Sequence, residues 1–299
     1  MLNIFKNSYL SIALLFSFSV AAAESIYVVD YSGSELNLDS PAKRIIALSP
    51  HAVENIFSAG AGEYLVGVVA YSDFPEAAKT IKQVGSNNLL NFESIISLQP
   101  DLIIAWQSGN TNNSLKRLKD LGFNVYLDEP KSLEDIAKSI MDIGILVGTS
   151  ETADPVATTF LTELNELRDK NIGKEKISVF YEVWNQPLQT LNGQHLVSTA
   201  IELCSGTNIY ADLPNIAPII NIESIIQRDP QVIIASGASN YERPQWLDDW
   251  QHWPQLTAVK NHQLFHVPAD LLVRHTTRII KGIRTICSQL DQARSKSKL

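Results

Sequence analysis

The sequence predicts an α/β protein of two Rossmann-like lobes with parallel sheets, joined by one long α-helix, with a ligand cleft between the lobes. Three observations carry this. Short, solid apolar runs alternate with segments of helical spacing, the pattern of parallel strands covered on both faces. The stretch from Asn91 to Ala105 recurs 130 positions later as Asn221 to Ala235, with nine of fifteen residues identical. That interval is far longer than a solenoid period and only two copies occur, so the repeat marks two similar lobes. Finally, Thr149 to Asp169 holds no Gly and sets Phe160, Leu161, Leu164 and Leu167 at helical spacing. It reads as one long helix between the lobes; the alternative is a surface helix of the first lobe.

Along the chain, residues 1–23 read as a secretory signal peptide. Lys6 gives a positive start, Tyr9 to Val20 is apolar and uncharged, and Ala21-Ala22-Ala23 supplies the small residues of a cleavage site. The alternative is a membrane anchor, but the run falls short of the ~20 apolar residues a span requires. Tyr27–Val29 and Leu36–Leu38 flank a hairpin-like turn at Tyr31–Ser34. Strands are then expected at Arg44–Leu48, Leu65–Ala70, Leu102–Trp106 and Asn124–Leu127, with helices at His51–Ala59, Ser114–Leu121 and Leu133–Val147. In each repeat copy an Asn N-cap opens a short helix and a proline ends it. After the polar stretch Asn171–Lys176, a strand at Ile177–Tyr181 restarts the alternation. The expected organisation is a signal peptide at 1–23, a first lobe at 24–147, a linking helix at 148–171 and a second lobe at 172–299.

Composition is that of a packed globular protein, 45% hydrophobic and 19% charged, with a net charge of −8. Removing Lys6 with the signal leaves 23 basic against 32 acidic residues, a net of −9, so nothing points to nucleic acid. The only two cysteines, Cys204 and Cys287, read as one disulfide in an exported chain; the alternative is two buried free thiols.

Ligands of open parallel sheets bind beyond the carboxyl ends of the strands. That selects the loops Ser49–His51, Ala70–Asp73, Trp106–Asn110, Glu182–Asn185, Ser236–Asn240 and Ala269–His275. Helices that start on the same side place Glu93 and Glu223, one in each repeat copy, near the cleft mouth. An acid in a first helical turn is also favourable beside the dipole. Two at matched positions point further, to a symmetric docking surface.

The stretches Arg44–Pro50, Val66–Pro75, Phe92–Trp106, Glu202–Tyr210 and Arg274–Ile280 resemble the periplasmic cobalamin-binding proteins of ABC importers. These belong to the class of metal-chelate, siderophore and haem binders whose lobes are joined by one rigid helix. The resemblance spans the mature chain. It implies that Glu93 and Glu223 form salt bridges to arginines on the two subunits of a membrane permease. It also implies that Tyr71, Trp106, Asp270 and Arg274 contact a corrinoid, and that Cys204 and Cys287 form the family's disulfide. A large flat ligand needs aromatic faces and a few polar groups for its rim. Where the family carries tryptophans, this chain has Asn87 and Ala217, and Trp184 is the candidate substitute. The implied protein is a periplasmic monomer that captures cobalamin or a related corrinoid as cargo. It has no cofactor, no resident metal and no catalytic residues.

The rival within this class is a haem or ferric-siderophore binder on the same scaffold. His51, at a helix start beyond a strand, or Tyr71 would then ligate haem iron, with Arg274 and Arg278 pairing propionates. His51 as a structural histidine and Trp106 as a half-buried core residue remain open. The rival from another class is a secreted α/β enzyme. The chain holds no Gly-x-Ser-x-Gly, His-Glu-x-x-His or phosphate-cradling loop, and its six histidines are scattered. Trp246, Trp250 and Trp253, at helical spacing, read as packing.

Overall fold

The computed structural model describes residues 26–237 and 242–296. The expected signal peptide and most of the Ser236–Asn240 loop lie outside the described residues. The chain opens with an antiparallel hairpin, β1 (Ile26–Val29) and β2 (Glu35–Leu38). It continues as β3 (Ile45–Ala47), α1 (Pro50–Ser58), β4 (Leu65–Val68), α2 (Phe92–Leu98), β5 (Leu102–Trp106), α3 (Asn112–Asp120), β6 (Val125–Asp128) and α4 (Leu133–Val147). Helix α5 (Ser150–Asn171) follows. The second half runs β7 (Ile177–Glu182), a small hairpin β8 (Trp184–Asn185) and β9 (Leu188–Gln189), α6 (Leu196–Leu203), β10 (Gly206–Asn208), α7 (Ile222–Arg228), β11 (Val232–Ala235), α8 (Thr257–Lys260), β12 (Leu264–His266) and α9 (Ile279–Lys296).

The duplication seen in sequence is present in topology. One sheet runs β4-β3-β5-β6 and the other β10-β7-β11-β12, all neighbours parallel. Numbered within each lobe, both sheets have the order 2-1-3-4, and the two repeat copies lead into equivalent strands, β5 and β11. The local detail matches as well. Asn91 and Asn221 each accept a hydrogen bond at 2.9 Å, from the backbone N–H of Ser94 and Ser224. Both helices end on a left-handed, non-glycine residue just before the proline, Gln99 at φ 47° and Asp229 at φ 40°. The left-handed backbone at these two residues costs roughly 1–2 kcal/mol each. Proline after them bars further helix.

Alternation along the strands divides the core. Ile45 and Ala47 face one cluster while Ile46 faces another, as the two-residue period of a strand requires. The outer face of each sheet has its own cluster, around Ile103 and Val125 in the first lobe and Phe180 and Ile233 in the second. The inner faces share one continuous cluster running from Ile104 through Ile143, Phe160 and Leu164 to Val179, Ile234 and Ile283. Helix α5 carries that continuity. It spans about 33 Å, buries Ala153, Ala157, Phe160 and Leu164, and packs on α1 and α4 on one side and α6 and α9 on the other. Gly144 lets α4 and α5 approach, since a Cβ there would lie 2.4 Å from that of Ala153. Cys204, at the end of α6, is bonded to Cys287 in α9, with Cα atoms 4.7 Å apart. The described residues contain no helix long and apolar enough to cross a membrane.

Two local expectations differ from the structure. Helix α3 starts at Asn112 rather than Ser114, because Thr111 caps it by accepting from the Ser114 N–H. Of the tryptophan stripe, Trp246 and Trp250 sit on a 3-10 helix, Gln245–His252, and Trp253 caps its end; Trp250 is buried and the other two are partly exposed.

Candidate ligand-binding site

The carboxyl ends of the strands meet where the two lobes face each other, and α1 is the element that reaches across. Ser49 caps it, accepting from the Ala52 N–H at 3.2 Å, and Pro50 fits its first turn. One face of α1 buries Ala52, Val53 and Ile56 in the shared core; the same helix buries Glu54 and Asn55. Those two polar groups point to partners more than 200 residues away. Arg274 Nη1 donates to Glu54 Oε1 at 3.0 Å. Arg278 grips the same carboxylate twice, Nε to Oε2 at 2.8 Å and Nη2 to Oε1 at 2.6 Å. Asn55 Nδ2 donates to the His275 carbonyl at 3.1 Å.

The clamp extends to the cleft rim. Arg274 also donates to Asp73 Oδ1 at 2.7 Å and to the Tyr71 carbonyl at 3.3 Å, while its Nε lies 3.1 Å from Asp270 Oδ1. Arg278 stacks over the Phe74 ring at 4.0 Å. Three carboxylates and two guanidiniums thus tie the first lobe to the second. Burial raises the Asp270 carboxyl above its ordinary range, an effect that the adjacent Arg274 opposes.

Beside the clamp lies a cluster of histidines drawn from both lobes. The His51 ring stands edge-on to Trp106 at 5.2 Å and 5.9 Å from His275, which is 5.8 Å from His195. Burial disfavours the charged form of each, and repulsion by His275 adds to it at His51 and His195, so the pKa values fall to about 3 for His51 and His195 and about 4 for His275. His51 Nε2 lies 3.2 Å from Ser49 Oγ and 3.6 Å from Asp128 Oδ2. Complete burial pushes the Asp128 carboxyl up to about 7, against the hydrogen bond from Ser139. With the imidazole neutral, the His51–Asp128 contact is not an ion pair at neutral pH. A histidine whose folded pKa is depressed lends stability that is full above its unfolded value near 6.5 and lost on acidification toward 4. Asp128 has the opposite sign: its contribution is full below about 3.8 and lost as pH rises through 7. By nuclear magnetic resonance, the rings of His51, His195 and His275 are expected to stay neutral down to about pH 5. Titration of all three near pH 6.5 would show that the seam is wet.

The sequence candidates fall into three groups. His51, Trp106, Asp270, Arg274 and the Tyr71 backbone come together at the seam. Tyr71 is 81% exposed with φ 65°, so its ring stands free at the rim. Trp106 is half-buried at the end of β5; its ring packs against Gly109, where a Cβ would lie 1.8 Å from it. Asn87 donates to the Gly109 carbonyl at 3.3 Å, and so sits beside Trp106. Trp184, 43% exposed on the β8–β9 hairpin, stands at the carboxyl edge of the second sheet, without a ring contact to the others. Glu93 and Glu223 are exposed in the first turns of α2 and α7, and neither pairs with a described residue. Arg274 meets carboxylates of both lobes, Glu54 and Asp73 from the first and Asp270 from the second.

Sequence reasoning missed Glu54 and the meeting of His195 with His51 and His275. A charged residue amid the apolar stripe of α1 was the available signal for Glu54. Among the described residues, no group of three or more His, Cys, Asp or Glu is arranged to hold a metal ion.

A family model described as periplasmic binding protein matches residues 45–271. A vitamin B12-binding protein of Vibrio cholerae serotype O1 is 36% identical over 256 residues, covering 86% of this chain and 92% of that one. The crystal structure of the periplasmic vitamin B12-binding protein BtuF of Vibrio cholerae superposes with a TM-score of 0.78 over 85% of this chain and 98% of that one, again at 36% identity. The periplasmic haem-binding protein HutB of Vibrio cholerae, at 20% identity and a TM-score of 0.71 over 83% and 98%, shares the fold. Two like-ordered parallel sheets, one helix between them and this match across most of both chains give one conclusion: the chain belongs to the periplasmic binding protein family.

Proposed function

We propose that the chain is an exported solute-binding protein that captures cobalamin or a related corrinoid between its lobes and delivers it to an ABC permease. The observation that carries this reading is the 36% identity to a vitamin B12-binding protein over nearly the full length of both chains. The seam supplies fitting chemistry. Tyr71 and Trp106 from the first lobe and Trp184 from the second offer aromatic faces, and the Asp270–Arg274 pair offers polar groups at the rim. With Asn87 and Ala217 in place of tryptophans, the surface is less aromatic than in the relatives it resembles.

The mature chain acts as a monomer in the periplasm after loss of residues 1–23. Lobes 24–147 and 172–299 move as units about the helix of 148–171. Their shared core and the Glu54 clamp keep that movement small. The loaded protein presents Glu93 and Glu223 to the two permease subunits; charge pairing of this kind steers encounter and sets register. The protein itself binds and releases and catalyses no reaction.

Titrating the mature protein with cyanocobalamin, cobinamide and haemin tests the ligand. The corrinoids are expected to bind one per chain and to outcompete haemin. Tight haemin binding with no corrinoid response would instead establish the haem reading, with Tyr71 or His51 as the iron ligand.

A further inference from the structure

The second lobe has a cavity of its own, of about 410 Å³, between the end of β7, the β8–β9 hairpin, the start of α7 and the 3-10 helix Gln245–His252. Every described residue that lines it lies at or beyond Glu182, so no described residue of the first lobe contributes to it. Its wall has an unusual composition. Among the described lining residues three are tryptophans, Trp246, Trp250 and Trp253, and three are acids, Glu182, Glu223 and Asp249, with no Lys, Arg or His among them.

Trp250 is the fixed floor. It is buried, stands edge-on to Phe180 at 5.7 Å, and donates from Nε1 to Glu182 Oε2 at 2.7 Å. Its ring centroid is 5.4 Å from that of Trp253. Trp246 and Trp253 are partly exposed, whereas Trp250 and Phe180 fill the core behind them.

These walls select charge and shape together. Aromatic faces carry negative potential and attract cations. The carboxylates of Asp249 and Glu223 add to that potential and would repel an anion, and Glu182 joins them once it ionises. A neutral apolar guest would desolvate the carboxylates and pair with none of them. We propose that this cavity binds a small organic cation, an alkylated ammonium or guanidinium group, in a tryptophan cage closed by Glu182, Asp249 and Glu223. The chemistry of the cavity is independent of what the seam between the lobes carries.

Glu182 supplies a signature. Burial holds its carboxyl up near pH 8; the Trp250 N–H opposes this and the Asp249 charge adds to it. Glu223 faces the same cavity, and Asp248 on the neighbouring segment is paired with Arg243 instead. A cation set against Glu182 favours the carboxylate, so binding near pH 7 releases protons.

The test is a titration of the mature protein, free of corrinoid, with choline and with its neutral isostere 3,3-dimethylbutan-1-ol, followed by tryptophan fluorescence and by calorimetry in buffers of different ionisation heat. Saturable one-to-one choline binding is expected, roughly tenfold tighter than that of the alcohol, with proton release at pH 7. Asp249→Asn, at an exposed position, and Trp253→Leu should each weaken choline by about three- to tenfold while leaving cyanocobalamin affinity unchanged. The proposal falls if choline fails to saturate by about 50 mM. It also falls if the alcohol binds as well as choline, or if neither variant changes choline affinity.

Discussion

Glu54→Gln is expected to lower the unfolding free energy by about 3–5 kcal/mol, the loss that follows when one partner of a buried ion pair is removed. Gln keeps the shape and drops the charge. Arg278 loses the carboxylate it holds through both Nε and Nη2, and Arg274 keeps Asp73 and Asp270 but loses its link into α1. The Glu54 side chain is 2% exposed and the arginines 9–10%, so water cannot readily replace what is lost. At the usual scaling for a chain of this size, the thermal midpoint should fall by roughly 10 °C. Because Glu54 joins the lobes, the variant should also open further in solution scattering and release ligand faster. A loss below about 1 kcal/mol would mean that the clamp is solvated and holds nothing.

Reversing both docking acids, Glu93→Lys with Glu223→Lys, is expected to abolish uptake while leaving ligand affinity within about twofold. Both side chains are exposed and unpaired among the described residues, so folding should be indifferent to them. Surface substitutions of this kind usually fall within about 0.5 kcal/mol. At an interface, by contrast, two like-charge contacts cost several kcal/mol and depress association most of all. Transport of radiolabelled cyanocobalamin in cells that carry only the variant measures this. Full uptake by the double variant would exclude these acids from docking; loss of ligand affinity would show that they act within the protein instead.

The architecture was largely legible in the sequence because it depends on local pattern. Solid apolar runs give buried strands, asparagine and proline bound the short helices of the repeat, and the long glycine-free stretch with helical spacing gives α5. Even the duplication is local information written twice. What escaped was everything decided by meetings in space. Glu54 finds Arg274 and Arg278 across 220 residues, and nothing near it in sequence signals them. The histidines at 51, 195 and 275 look scattered until the lobes face each other. Arg274 reads as a ligand contact from its motif, which says nothing of its meeting with Glu54, Asp73 and Asp270. The tryptophan stripe is half packing, through Trp250, and half cavity wall, through Trp246 and Trp253, a division that periodicity cannot reveal.

The site between the lobes is tested most directly by calorimetry with cyanocobalamin on the mature protein and on Tyr71→Ala, Trp106→Ala and Trp184→Ala. A corrinoid gripped from both sides should bind once per chain and lose roughly tenfold or more in affinity on removal of an aromatic anchor from either lobe. If the Trp184 variant and both first-lobe variants titrate like the unaltered protein, or if one lobe alone matters, the ligand is not held in the seam.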